Sequence, residues 1–178
     1  MEELHKKNRT GKEYFYMIIK KYNSIKKIEE IYDELYNSLP KKHAFQSLSF
    51  LKQTDTLYYK LRWRSSVSYY VVFEQDKPIL IAGFRKYNKD TVILLGSRAG
   101  YDYCDIIWSN ENVFEDGIKL VFAELKRSKI KNIIWKFWEV DSYSFTTIKK
   151  LVNVVEINEV KNTRINIVVS SKKIEDTI

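Results

Sequence analysis

At 178 residues, with 44% hydrophobic side chains, five glycines and two prolines, the chain is long and apolar enough for one domain with a packed core, which excludes collagen-like and disordered classes. A single cysteine, Cys104, excludes an internal disulfide framework and a thiolate zinc cluster. The formal net charge of +8 raises nucleic acid as a partner, but the lysines are spread along the chain and follow a general enrichment in Lys, Ile, Asn and Tyr.

The opening Met-Glu-Glu-Leu-His-Lys-Lys has no apolar signal region, and no later run reaches the roughly 18 apolar residues of a membrane span, so the expectation is a cytoplasmic protein. Residues 1–12 are polar and read as a flexible lead-in, 13–170 as one domain, and 171–178 as a loose tail. No repeat or Pro/Gly/Ser linker divides the domain.

Tyr14 to Lys20 (YFYMIIK) predicts a first strand. Asn23 or Ser24 then caps a helix in which Ile25, Ile28, Ile31, Tyr32, Leu35 and Leu39 share one face, and Pro40 closes it. Residues 41–67 suggest one or two short helices through Phe45, Leu48 and Leu51. Next to them, Arg62 and Arg64 flank Trp63 as either an anion-binding surface or solvated arginines beside a buried ring.

The strongest strand signal follows. Tyr69–Glu74, Ile79–Tyr87 and Thr91–Leu95 are rich in β-branched and aromatic residues, and the polar turns Gln75–Pro78 and Asn88–Asp90 separate them, which predicts an antiparallel meander. The segment Gly96-Ser97-Arg98-Ala99-Gly100-Tyr101-Asp102-Tyr103-Cys104-Asp105 then collects polar and aromatic groups at a strand end, where sites tend to be built. Asn112 with Glu115 reads as a capping box for a helix with Phe114, Ile118, Val121, Phe122 and Leu125 on one face. Ile130–Val140 (IKNIIWKFWEV) reads as a strand buried on both faces, reached through a parallel crossover. Phe145, Ile148 and Leu151 mark another short helix, and Val154–Val160 with Thr163–Ser170 a final pair of strands.

In this order the elements resemble the acyl-CoA N-acyltransferase (GNAT) fold, an α/β domain with a mixed central sheet, an antiparallel meander, a parallel crossover and helices on both faces. More narrowly, Tyr69-Tyr70-Val71-Val72, Pro78-Ile79-Leu80-Ile81-Ala82 and Leu95-Gly96-Ser97 leading to Asp102-Tyr103-Cys104-Asp105 are similar to the first half of FemAB-like and CelD-like acetyltransferases. The resemblance implies transfer of an acyl group to an amine or sugar-linked acceptor in cell-envelope or polysaccharide metabolism, with the first half shaping the acceptor site. It also implies an acetyl-CoA or other acyl-CoA donor, and a second GNAT-like half or a homo-oligomer as partner.

A donor diphosphate needs backbone N–H groups at a helix N-terminus, written in that family as Arg or Gln, two residues, Gly, one residue, then Gly or Ala. No pair among Gly11, Gly83, Gly96, Gly100 and Gly117 has that spacing, which leaves acyl-CoA binding by this chain alone open and excludes a P-loop or a Rossmann fingerprint.

Asp102 and Asp105 are candidate catalytic bases or acceptor-orienting groups. Their alternatives are a turn-forming Asp102 and an Asp105 paired with a lysine or Arg85. Arg98, Tyr103 and Arg85 are the substrate-binding candidates, with Arg98 suited to a phosphate or carboxylate or, equally, to a solvated loop. Cys104 reads as a small buried residue, and His5 and His43 do not form a metal site with it. Two other readings of the chain are a catalytically inactive module that binds protein or oligomerises, and a nucleic-acid binder whose affinity would fall steeply with salt.

Overall fold

A computed structural model describes residues 16–39, 42–53, 66–95, 105–139, 141–160 and 164–170. Its eight strands are β1 (Met17–Tyr22), β2 (Val67–Glu74), β3 (Lys77–Lys86), β4 (Thr91–Leu94), β5 (Ile107–Trp108), β6 (Asn132–Glu139), β7 (Asn153–Val160) and β8 (Arg164–Ser170). They form one mixed sheet in the order β1-β2-β3-β4-β6-β8-β7, with β5 also on β3. Neighbours are antiparallel except β4 and β6, which are parallel and joined by the expected helical crossover. The long helices are α1 (Glu29–Ser38), α2 (Glu111–Arg127) and α3 (Tyr143–Leu151), and between α1 and β2 lie a 3-10 turn over Ala44–Gln46 and helical residues 48–53, where short helices were expected.

The meander strands read as nearly continuous apolar runs because both faces of the sheet are covered. Alternate residues go to opposite sides. Tyr70, Val72, Leu80, Ala82 and Phe84 join Phe114, Ile118, Val121 and Phe122 of α2 and Phe145 and Ile148 of α3. Tyr69, Val71, Phe73 and Ile81 join Tyr32 and Leu35 of α1. Gly117 lets α2 sit close to the sheet, since a Cβ there would meet Leu80 Cδ1 at 3.3 Å.

Several boundaries move for local reasons. The helix expected from Ser24 onward is two pieces, a 3-10 turn over Ile25–Lys27 capped by Ser24 Oγ, and then α1. Three residues per turn line up Ile25 and Ile28 toward the core before the α-helical period takes over at Tyr32 and Leu35. The first hairpin turn is only Gln75-Asp76, both with positive φ (47° and 65°), as a two-residue turn matching strand twist requires. Pro78 therefore falls inside β3, close to the turn and opposite Phe73, where the β2–β3 register shifts. At α2 the cap is Asn110, whose side chain accepts the Asn112 N–H at 3.0 Å, so the expected Asn112–Glu115 box gives way to a start two residues earlier. Glu115 instead pairs with Lys119 at 2.7 Å.

Candidate functional site

β4 and β5 occupy one line beside β3. Leu94 lies opposite Phe84, the Leu95 N–H donates to the Gly83 carbonyl, and β5 resumes with Ile107 opposite Ile81 and Trp108 opposite Leu80. Only the first half of that line is bonded to β6, through Thr91–Asn132, Val92–Ile133 and Ile93–Ile134. Past Ile134, β6 continues to Glu139 on β8, and no pairing joins it to β5 among the described residues. A register irregularity on the β8 side between Trp135 and Trp138 falls where β6 parts from β5, and irregularities of this kind bend a strand.

The result is a split between two parallel-running strands at their C-terminal ends, the usual place for a ligand in a sheet of this type. A cavity of about 410 Å³ opens there, within the range of small-molecule sites. One wall is Asp105 to Trp108, the opposite wall is Glu139 with Asp141 to Tyr143, and Leu39, His43 and Gln46 close it from the α1 side.

Each wall is held by side chains that the sequence places for this purpose. Tyr32 and Tyr36, one helical turn apart on α1, donate to the carbonyls of Gln46 (2.7 Å) and His43 (3.0 Å). Burial pushes the Tyr36 hydroxyl above its ordinary pKa, which keeps it a donor. Gln46, itself buried, reaches across with Nε2 to the carbonyls of Asp105 and Ile106, both at 3.3 Å. Trp108, Phe114 and Tyr143 pack mutually with ring centroids 5.2–5.7 Å apart, and the Tyr143 hydroxyl donates to the Glu111 carbonyl at 3.1 Å.

Asp105 is fixed from two sides. Its Oδ1 accepts the Ile106 N–H at 2.8 Å, and its Oδ2 accepts the hydroxyl of the fully buried Ser144. Ser142, 3.1 Å from Ser144, caps α3 by accepting the Phe145 N–H and donates to the Glu139 carbonyl at 2.8 Å. The carboxylate is thus oriented from the start of α3. Among the described lining residues the titratable groups are the carboxylates of Asp105, Glu139 and Asp141 and the imidazole of His43, and none is a lysine or arginine. On a chain of net charge +8 this is a local reversal of sign.

Of the residues singled out in the sequence, Asp105 lines this cavity. Arg85 is buried on β3, on the α1 side with Ile81 and Gly83, between Val67 and Ile93, and is not among the lining residues. Arg98, Asp102, Tyr103 and Cys104 lie outside the described residues, as do Arg62, Trp63 and Arg64. Sequence reasoning passed over Glu139, Asp141, His43 and Gln46 as site residues. The available signal was the Asp141-Ser142 pair before an apolar-periodic segment, a helix start that brings polar groups to a strand end. Among the described residues no group of His, Cys, Asp and Glu is arranged to hold a metal ion, and no helix is long and apolar enough to cross a membrane.

No protein-family model matches the sequence, and no curated protein matches it. Solved structures do. A probable acetyltransferase from Staphylococcus epidermidis is similar at 13% identity and a TM-score of 0.55, over 86% of this chain and 96% of that one. An N-acetyltransferase of Campylobacter jejuni, solved in complex with acetyl coenzyme A, is similar at 11% identity and 0.52, over 87% and 100%. An aminoglycoside 6′-N-acetyltransferase from Enterococcus faecium is similar at 11% and 0.51, over 88% and 97%. At such identities the likeness is one of architecture, and it agrees with the element order read from the sequence: the chain has the fold of the GNAT acetyltransferases.

Proposed function

We propose that the chain binds a cationic amine in the split between β5 and β6 and prepares it for acyl transfer. The observation that carries this reading is the convergence of Asp105, Glu139 and Asp141 on one cavity of an otherwise basic protein. Three carboxylates around a concave space attract an ammonium group and disfavour an anionic acceptor. An ammonium is not a nucleophile, so one proton must leave before or as nitrogen bonds to the acyl carbon. Asp105, held by Ser144 and the Ile106 N–H, is the group placed to accept it, with His43 across the same cavity. The resemblance to FemAB-like and CelD-like proteins makes the acceptor an amine on a sugar-linked or cell-envelope precursor. In that arrangement Arg98, Asp102 and Tyr103 add acceptor contacts, and a second GNAT-like half or a second copy of the chain completes the site.

The fold implies an acyl-CoA donor, which would supply an activated thioester carbonyl. The split suits the amide-bearing arm of such a molecule, because the facing edges of β5 and β6 are not paired to each other and an extended chain can lie between them. The carboxylates at the helix starts beside the split favour recognition through this arm over the diphosphate.

The test is thiol release from a small acetyl thioester, assayed with polyamines, amino sugars and peptides as acceptors alongside their hydroxyl analogues. Amines are expected to be acetylated and the neutral analogues not, with Asp105→Asn lowering kcat/KM by roughly 100-fold or more while the protein stays folded. A wild-type protein that neither binds nor acetylates any amine, or an Asp105→Asn variant as active as wild type, overturns the reading.

A further inference from the structure

The geometry points to a donor recognised through its amide-bearing arm alone, a pantetheine-type thioester whose nucleotide diphosphate contributes nothing to binding. This rests on reading the split as an acyl-transfer site.

Polyphosphates bind proteins through free backbone N–H groups at helix N-termini, through glycine loops that let the backbone approach, and through Lys or Arg. Two helices begin at the mouth of this cleft, and at each one first-turn N–H is already capped by a side chain and carboxylates stand beside the rest. At α2 the Asn110 side chain already holds the Asn112 N–H, and the first turn carries Glu111. No glycine lies between Trp108 and Asp116, and the basic residues of α2's terminal turns, Lys126 and Arg127, are at its far end. At α3 the Ser142 hydroxyl holds the Phe145 N–H, and Glu139 and Asp141 precede it. A carboxylate beside a helix N-terminus is itself stabilised by the helix and compensates the partial positive charge that would attract phosphate. A diphosphate brought to either helix would meet carboxylates beside the remaining donors, a repulsion that grows as water is excluded.

The experiment is calorimetric titration of the full chain with S-acetylpantetheine and with acetyl-CoA, which share the arm and differ in the nucleotide diphosphate. The expected result is Kd values within about threefold of each other. The exposed Glu111, exchanged by Glu111→Lys, should tighten acetyl-CoA by about two- to fivefold and leave S-acetylpantetheine unchanged. Circular dichroism confirms that the variant is folded. Acetyl-CoA bound 100-fold or more tighter than S-acetylpantetheine, the gain expected from two charge-assisted hydrogen bonds, overturns the inference and leaves the acyl-transfer reading standing. Binding of neither ligand overturns both.

Discussion

β4 and β5 share one line beside β3 and face the same strand, β6, yet only β4 is bonded to it. The β4 half is closed, and all four of its residues, Thr91 to Leu94, are buried. In the β5 half, Ile107 is buried but Trp108 is only half-buried, and Asp105, Glu139 and Asp141 gather around the gap. Closing the gap would draw three carboxylates further out of water, and burying a carboxylate costs several kcal/mol where its hydrogen bonding is not made complete. The same neighbour therefore serves as core at one end and as a site at the other, and the polarity of the side chains decides which.

This contrast is open to direct attack, beginning with the closed half. Leu94 is 2% exposed on β4, and Leu94→Ala should cost about 2–5 kcal/mol in denaturant unfolding while leaving amine binding unchanged. A folded Leu94→Ala protein that no longer binds amines would show that the two halves are not separable. In the open half, Gln46→Ala strips the donor from the Asp105 and Ile106 carbonyls. It should cost about 1–3 kcal/mol and, unlike Leu94→Ala, weaken amine binding through a misplaced Asp105. Unchanged binding would mean that Ser144 and the Ile106 N–H suffice to hold the carboxylate.

The smallest effect lies on α2, outside the residues that line the cavity. Lys119 on α2 is held above its ordinary pKa, chiefly by its hydrogen bond to Glu115. A raised folded value means the pair's stabilisation is full below the unfolded pKa of about 10.4 and fades as pH climbs through the raised value. Lys119→Met should remove about 0.3–0.5 kcal/mol at neutral pH, and stability curves of the two proteins should converge above that range. Curves that stay apart there would show that Lys119 stabilises by packing and not by charge.

Much of the fold is legible because burial on both faces writes itself into long apolar runs. The meander and the crossover strand follow from Val71–Phe73, Ile79–Ala82 and Ile133–Trp135. Two residues, Ile107 and Trp108, are too few to show a period, so β5 could be found only through its partners on β3. The cap of α2 went to Asn110 in place of Asn112 because both residue types cap equally well, and the end of β5 at Trp108 chose between them.

The site was half legible in the same way. Asp105 stood out by its position after a strand, but Glu139 and Asp141 are more than thirty residues away, and nothing local marks them as its neighbours. The sequence by itself determined the layers, the parallel crossover and the two apolar faces, since those depend on periodicities carried within each segment. Only the tertiary structure decided that β6 would pair with β4 and not with β5, and that three carboxylates and a histidine from three separate segments would meet in the resulting gap. Pairing between strands depends on which edges meet, a long-range choice that no single segment encodes.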